Sequence, residues 1–283
     1  MVNRLAYLGP PGTFTEQAAL LHDPQAERLP FATVAAVASA VDSGMADEGV
    51  VAIENSLEGS VTDTLDVLIH ESRLSIRREL VLPIEHCLLA KPGTAAPEIE
   101  TIFSHPQALG QCRRFLERCF PKARLEASLS TTAAVEQMMQ HEKSAAIATL
   151  RASELYGIDV LARGIQDNRN NETRFVVLAA DDSPPTGRDK TSIALSVAHD
   201  RPGSLVDVLR EFSERNINLM KIESRPTKQE LGKYVFLIDL EGHRTDPVVS
   251  EALEGVRSQS YFFKVFGSYP RFENAGPAAI TSL

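Results

Sequence analysis

Three adjacent side chains, Thr173-Arg174-Phe175, set a hydroxyl, a guanidinium and an aromatic ring between the polar pair Asn171-Glu172 and the apolar run Val176-Val177-Leu178. A hydroxyl can donate a hydrogen bond to an oxygen on which negative charge develops, and a guanidinium can offer a forked pair of donors to a carboxylate. The triplet therefore offers polar donors to a small anion. In isolation it reads as the start of a strand, because threonine has high β-propensity and an adjacent arginine is ordinarily solvated.

Other hydroxyl-bearing residues recur where a strand gives way to a helix. Thr13-Phe14-Thr15-Glu16 fits a capping box, with the Thr13 side chain accepting from a free backbone N–H and Glu16 reaching back. Ser60-Val61-Thr62-Asp63 is a weaker version, after the strand Val50-Val51-Ala52-Ile53 and the turn Glu54-Asn55-Ser56. Ser104-His105-Pro106 puts proline where a first helical turn tolerates it, and Ser130-Thr131-Thr132 precedes a helix over 133–139. Each is by itself an ordinary helix start. In an open α/β sheet, however, helix amino termini gather at the carboxyl ends of the strands, where their unpaired N–H groups favour anions. His105 is the conventional acid among these residues, and its place beside Pro106 at a helix entry also fits a structural cap.

The elements that must position these residues belong to a globular chain of 283 residues, 43% hydrophobic and 24% charged, long enough for roughly two domains. Upstream of residue 181, apolar runs at 5–8, 49–53, 86–90, 100–103 and 145–148 read as strands alternating with helical patterns, which implies α/β architecture with a largely parallel sheet. Residues 181–190 form a polar run containing Pro and Gly and read as a linker. Beyond it lie strand 191–197, helix 204–215, strands 218–225 and 233–240, helix 247–257 and strand 261–268, the βαββαβ order of a ferredoxin-like domain. The small, polar tail from 273 is expected to be mobile.

A net charge of −9 argues against nucleic acid as a partner, since phosphate affinity comes from clustered Lys and Arg. No apolar run is long enough to span a membrane and the amino terminus lacks a signal-peptide pattern, so a cytoplasmic protein is expected. Cys87, Cys112 and Cys119 have no metal-ligand spacing and read as reduced, mostly buried residues, with Cys112 and Cys119 on one helix face. The histidines form no His-x-x-x-His pair and no Cys-x-x-Cys occurs, so no metal is expected.

Taken in order, Gly9-Pro10-Pro11-Gly12-Thr13-Phe14-Thr15-Glu16, Ile53-Glu54-Asn55-Ser56-Leu57-Glu58-Gly59-Ser60-Val61, Ser104-His105-Pro106-Gln107-Ala108 and Thr173-Arg174-Phe175 resemble the motifs of the prephenate dehydratase family. Pro202-Gly203-Ser204-Leu205 and Glu223-Ser224-Arg225-Pro226 resemble that family's ACT regulatory domain, so the resemblance covers nearly the whole chain. It implies a bilobal catalytic domain of the periplasmic-binding-protein type (type II) over about residues 1–180. One lobe would be about 1–80 plus 172–180 and the other about 81–165, followed by the linker and an ACT domain over about 191–270.

The implied activity converts prephenate to phenylpyruvate, carbon dioxide and water for phenylalanine synthesis, with no cofactor. On this resemblance Thr173 is the catalytic hydrogen-bond donor to the departing oxygen. Thr13, Glu54, Asn55, Ser56, Ser130, Thr131, Thr132, Arg174 and Phe175 would surround the substrate, with His105 and Gln107 as further candidates. Arg174 would hold a substrate carboxylate or pin its loop to Glu54, and Phe175 would be a packing wall. L-Phenylalanine would inhibit by binding between paired ACT domains through Gly203, Ser204, Leu205, Glu223, Ser224, Arg225 and Pro226, which implies a homodimer or homotetramer. The chain departs from the family at Ala52, commonly proline, and Ser204, commonly alanine. No chorismate mutase-like segment precedes Leu5, so a monofunctional enzyme is expected. The alternatives are an arogenate dehydratase and an amino-acid sensor without catalysis.

Overall fold

A computed structural model of the protein describes residues 3–199, 201–228 and 233–272, so the tail expected to be mobile lies outside the described residues. The chain begins with β1 (Arg4–Leu8), α1 (Phe14–His22), β2 (Glu27–Phe31), α2 (Val34–Asp42), β3 (Glu48–Asn55) and the two-residue β4 (Gly59–Ser60). Next, α3 (Thr62–Asp66) runs straight into a π-helical turn at Val67–Glu71, and β5 (Ser75–Pro83) follows. A second series comprises β6 (Cys87–Ala90), β7 (Thr101–Ser104), α4 (Pro106–Gln111), α5 (Arg113–Cys119), β8 (Arg124–Ala127), α6 (Thr131–Gln140), β9 (Ser144–Ala148), α7 (Leu150–Tyr156) and β10 (Asp159–Ala162). The chain then returns to the first sheet with β11 (Glu172–Ala179).

The first sheet has the order β2-β1-β3-β11-β5, with β4 paired to β3, and the second has the order β10-β6-β9-β7-β8. An excursion from one α/β sheet to another, followed by a return strand, is the periplasmic-binding-protein arrangement. Neither the expected parallel character nor the strand count holds throughout. Strand β6 pairs antiparallel with both β9 and β10, and only β7, β8 and β9 run parallel in the second sheet. β2, β5, β8 and β10 have no counterpart among the expected strands. Glu27-Arg28-Leu29-Pro30-Phe31 and Arg124-Leu125-Glu126-Ala127 are too charged to carry a buried-strand pattern, and pairing to β1 and β7 makes them strands.

By compactness the chain divides into one unit of residues 1–37, 50–62 and 81–175 and another of residues 38–49, 63–80 and 176–283. In the first unit, alternation along the strands fills both faces of the second sheet. Cys87, Leu89, Ala146 and Ala148 pack with Ala134, Val135 and Met138 of α6, whereas Leu88, Ala90, Ala145 and Ile147 pack with Ala108, Cys112 and Leu116. Burial of both faces explains why these strands read as unbroken apolar runs. The helix expected to carry Cys112 and Cys119 on one face breaks at Cys112 (φ −110°, ψ 14°), leaving Cys112 buried and Cys119 exposed. Burial pushes the Cys87 thiol up to about 11 and that of Cys112 up to about 12, so both stay protonated.

In the second unit, β12 (Asp189–Val197), α8 (Ser204–Ser213), β13 (Leu219–Pro226), β14 (Tyr234–Glu241), α9 (Pro247–Ser258) and β15 (Ser260–Pro270) follow the expected βαββαβ order. The sheet β13-β14-β12-β15 is antiparallel throughout. Ile193, Leu195, Ile238 and Leu240 pack against Val208 and Phe212 of α8 and Ala252 and Val256 of α9. β12 starts within the run read as a linker, because the Asp189 carboxylate accepts from Thr186 N, Thr186 Oγ1 and Gly187 N and closes the turn that launches the strand.

Candidate active site

Asn55 ends β3, and its orientation is set by its own turn. Its Oδ1 accepts from the backbone N–H of Leu57 at 3.0 Å and of Glu58 at 3.1 Å, an Asx turn that leaves Nδ2 to face the other way. There Nδ2 donates to Asn171 Oδ1 at 2.8 Å, to the Glu172 carbonyl at 3.1 Å and to Thr173 Oγ1 at 2.9 Å. Ser56 adds three bonds to the same returning segment: its N–H donates to the Glu172 carbonyl, its Oγ donates to the Asn170 carbonyl, and its Oγ accepts from Glu172 N. The loop after β3 is thus joined to the entry of β11 before any apolar packing is counted.

Thr173 is 8% exposed, and its hydroxyl accepts from Asn55, so its own proton stays available to an oxygen brought against it. The bond network continues inward. Asn171, 1% exposed, donates from Nδ2 to Gln111 Oε1 at 3.0 Å, and the same oxygen lies 2.9 Å from His86 Nε2. Gln111 Nε2 is turned to Glu58 Oε1 at 3.4 Å. The His86 ring stands edge-on to Phe14, and its backbone N–H donates to Gln166 Oε1 at 3.0 Å. Burial holds its pKa below the usual imidazole range, against the opposing effect of the Gln111 bond.

A second group of hydroxyls meets at Gly12. This residue takes φ +87°, a left-handed conformation that glycine adopts without strain, and a Cβ there would meet Thr132 Oγ1 and the Ala152 side chain at 3.4 Å. Gly12 N donates to Glu16 Oε2 at 2.6 Å, and its carbonyl accepts from Thr149 Oγ1 at 2.6 Å. Thr13 caps α1 as expected, but the Glu16 carboxylate reaches Gly12 rather than the N–H of Thr13. Glu16 lies 3.8 Å from Arg151 Nε. Burial and the charge of Glu16 push the Tyr7 phenol up to about 12 against the pull of Arg28 and Arg151, so it stays neutral. Ser130 caps α6 by accepting from Ala133 N at 2.9 Å. The Thr132 hydroxyl, fully buried one residue inside that helix, has no hydrogen-bond partner among the described residues.

The expected site residues thus divide. Asn55, Ser56 and Thr173 share one network, while Thr13 and Thr132 flank Gly12, with Ser130 and Thr131 at the start of α6. Arg174 NH1 lies 3.5 Å from Glu54 Oε2, which favours the loop-pinning option. Phe175 is 1% exposed and belongs to the core. His105 caps α4, its Nδ1 accepting from Gln107 N at 3.3 Å. Sequence reasoning missed Gln111, Asn171, His86 and Thr149. Gln111 sits one helical turn after Gln107, a usable signal, but nothing local marks it as the partner of a residue 60 positions away.

In the βαββαβ domain Gly203 has φ +93° at the N-cap of α8, and Ser204 Oγ donates to the His199 carbonyl. Leu205 is half-buried, Ser224 and Pro226 are exposed on β13, Glu223 pairs with Lys221, and Arg225 pairs with Asp66.

An α/β domain whose polar loops collect hydroxyls and amides around one threonine, followed by an ACT module, defines an enzyme with an attached regulatory domain. Residues 5–183 match the prephenate dehydratase family model, residues 191–258 match the ACT domain, and the chain belongs to the prephenate dehydratase family. It is 43% identical over 269 residues to the bifunctional chorismate mutase/prephenate dehydratase of Aquifex aeolicus, covering 95% of this chain and 74% of the relative. The crystal structure of prephenate dehydratase from Arthrobacter aurescens in complex with L-Phe is 40% identical with TM-score 0.86, covering 95% of this chain and 90% of that one. GqqA, described as a novel type of quorum quenching acylase, superimposes with TM-score 0.86 at 29% identity, covering 95% of this chain and 98% of that one.

Proposed function

We propose that the chain catalyses the decarboxylating dehydration of prephenate to phenylpyruvate and is inhibited by L-phenylalanine through its ACT domain. The observation that carries this reading is the Thr173 hydroxyl, held by Asn55 with its proton free to donate. In the reaction the bond from the ring to its carboxylate breaks, and the released electron pair moves into the ring. The bond from the ring to the hydroxyl breaks at the opposite carbon, and the departing oxygen takes up one proton to leave as water. Aromatisation supplies the driving force. The protein must hold a dianion and stabilise the oxygen as negative charge grows on it, which a donor already in place does without reorganisation.

The unpaired N–H groups at the start of α6, together with Thr131 and Thr132, suit one substrate carboxylate, and Thr13 lies at the same approach. Ser130 and Ser56 are taken up in capping and loop bonds and act by shaping the site. Arg174, bonded to Glu54, stiffens the strand that presents Thr173. In the ACT domain, Gly203 and the exposed edge of β13 suit an amino acid held between two copies of the chain, so a homodimer or homotetramer is part of the proposal, as are a cytoplasmic location and the domain boundaries near 180 and 190. Among the described residues no helix is long and apolar enough to cross a membrane.

Incubation of the purified protein with prephenate and, separately, with arogenate tests the reading. Phenylpyruvate from the first and little phenylalanine from the second is the expected result. Preferential turnover of arogenate would redirect the substrate assignment, and inactivity on both would favour a sensor.

A further inference from the structure

The hydrogen bonds around Thr173 have a direction, and following it inward fixes the state of the buried His86. Asn55 Oδ1 is occupied by two backbone N–H groups, so Nδ2 must be the atom that faces Asn171 and Thr173. Asn171 therefore presents Oδ1 to Asn55 and Nδ2 to Gln111. Gln111 must then present Oε1 to Asn171 and, with the same oxygen, to His86, turning its own Nε2 to Glu58. An amide oxygen only accepts, so His86 Nε2 must carry a proton. His86 Nδ1 is buried and has no hydrogen-bond partner among the described residues, so a second proton there would be left without an acceptor.

We infer that His86 is a positioning residue: a neutral imidazole in the Nε2–H form that locks the Gln111 amide and, through Asn171 and Asn55, keeps the Thr173 proton turned outward. This rests on the proposed role of Thr173. Without the Nε2–H donor the Gln111 amide can rotate by a half turn. It would then oppose its Nε2 to the Asn171 Nδ2, and the clash of two donors would displace Asn171, which shares the Asn55 Nδ2 group with Thr173. The backbone bond from His86 N to Gln166 fixes the segment that carries the ring, and Phe14 packs edge-on against the ring itself.

The test combines kinetics with a spectroscopic readout. His86→Gln keeps an N–H donor near the Nε2 position, and His86→Leu removes it while filling the space. The expected result is a kcat lowered about tenfold or more in His86→Leu, the loss of roughly one buried hydrogen bond, with KM changed less than about threefold. His86→Gln should stay within about threefold of wild type, and His86→Leu should cost nothing further in a Gln111→Leu background. Nitrogen-15 NMR of the wild type should show one His86 ring proton, on Nε2. Overturning results are an unchanged kcat in a folded His86→Leu protein, equal losses in the Leu and Gln variants, additive losses with Gln111→Leu, or a proton on Nδ1. If His86→Leu fails to fold, the Gln variant and the NMR tautomer decide the matter. A wild type that does not turn over prephenate defeats the functional reading, while the tautomer is judged separately.

Discussion

The guanidinium of Arg225 lies 3.3 Å from the carboxylate of Asp66, a residue 159 positions earlier in the chain. The other Asp66 oxygen accepts from Lys228 at 2.5 Å. Asp66 closes α3 and opens the π-helical turn, and Lys264 Nζ donates to the carbonyls of Leu68, within that turn, and Ser72, just past its end, both at 2.6 Å. Arg225 of β13, Lys228 just beyond it and Lys264 of β15 therefore all bond one short helical segment. Arg225 belongs to the motif proposed to hold L-phenylalanine, and on that proposal a ligand at β13 would act on α3 through this pair. Asp66→Asn should raise the concentration of L-phenylalanine for half-inhibition several-fold while changing uninhibited kcat less than about twofold, as read from inhibition curves; an unaltered curve would remove Asp66 from the regulation.

Thr173→Val keeps the shape of the side chain and deletes its proton. Asn55 still bonds Asn171 and the Glu172 carbonyl in this variant, so the loop should hold. A loss in kcat of about 100-fold or more is expected, the usual cost of removing a donor to developing negative charge, with partial recovery in Thr173→Ser. Steady-state kinetics beside a urea melt separates this from simple unfolding.

The His86 imidazole also makes a prediction about acid stability. In the unfolded chain it takes up a proton as pH falls through about 6.5, whereas burial lowers its pKa in the folded protein. The unfolded state therefore binds more protons between the two values, so the stability present above about pH 6.5 is lost as pH falls from there toward the folded pKa. The drop in urea midpoint from about pH 7.5 to about pH 5.5 should be smaller in His86→Gln than in wild type, and equal drops would contradict a buried neutral ring.

Lys190 on β12 bonds both carboxylate oxygens of Glu79 on β5, at 3.0 and 2.8 Å, with only 13% and 4% of the two side chains exposed. Removing Lys190 leaves the buried Glu79 charge without that cation, with the Phe272 N–H at 2.8 Å still donating to it. Lys190→Met should destabilise by about 3–5 kcal/mol, and Lys190→Met combined with Glu79→Met should recover most of that loss, because the burial penalty disappears along with the pair. Equilibrium unfolding of the single and double variants makes the comparison.

Local chemistry carried much of this protein in its sequence. The apolar run Ala145-Ala146-Ile147-Ala148 announced a strand, Thr13 and Ser130 announced helix starts through their residue types, and the strand and helix order after residue 190 announced the βαββαβ domain. These features depend on neighbours within a few positions. Sheet direction did not: β6 and β10 run against the expected parallel order because pairing partners are chosen across the fold. The site divides in the same way. Residue types placed Asn55, Ser56 and Thr173 among the candidates, yet the bond from Asn55 to Thr173 spans 118 positions and that from Asn171 to Gln111 spans 60. Buried amides acquire a direction only from partners brought together by folding. The side-chain types were therefore legible in the sequence, while the tertiary structure alone decided which atom of each faces Thr173 and that His86 stands behind them.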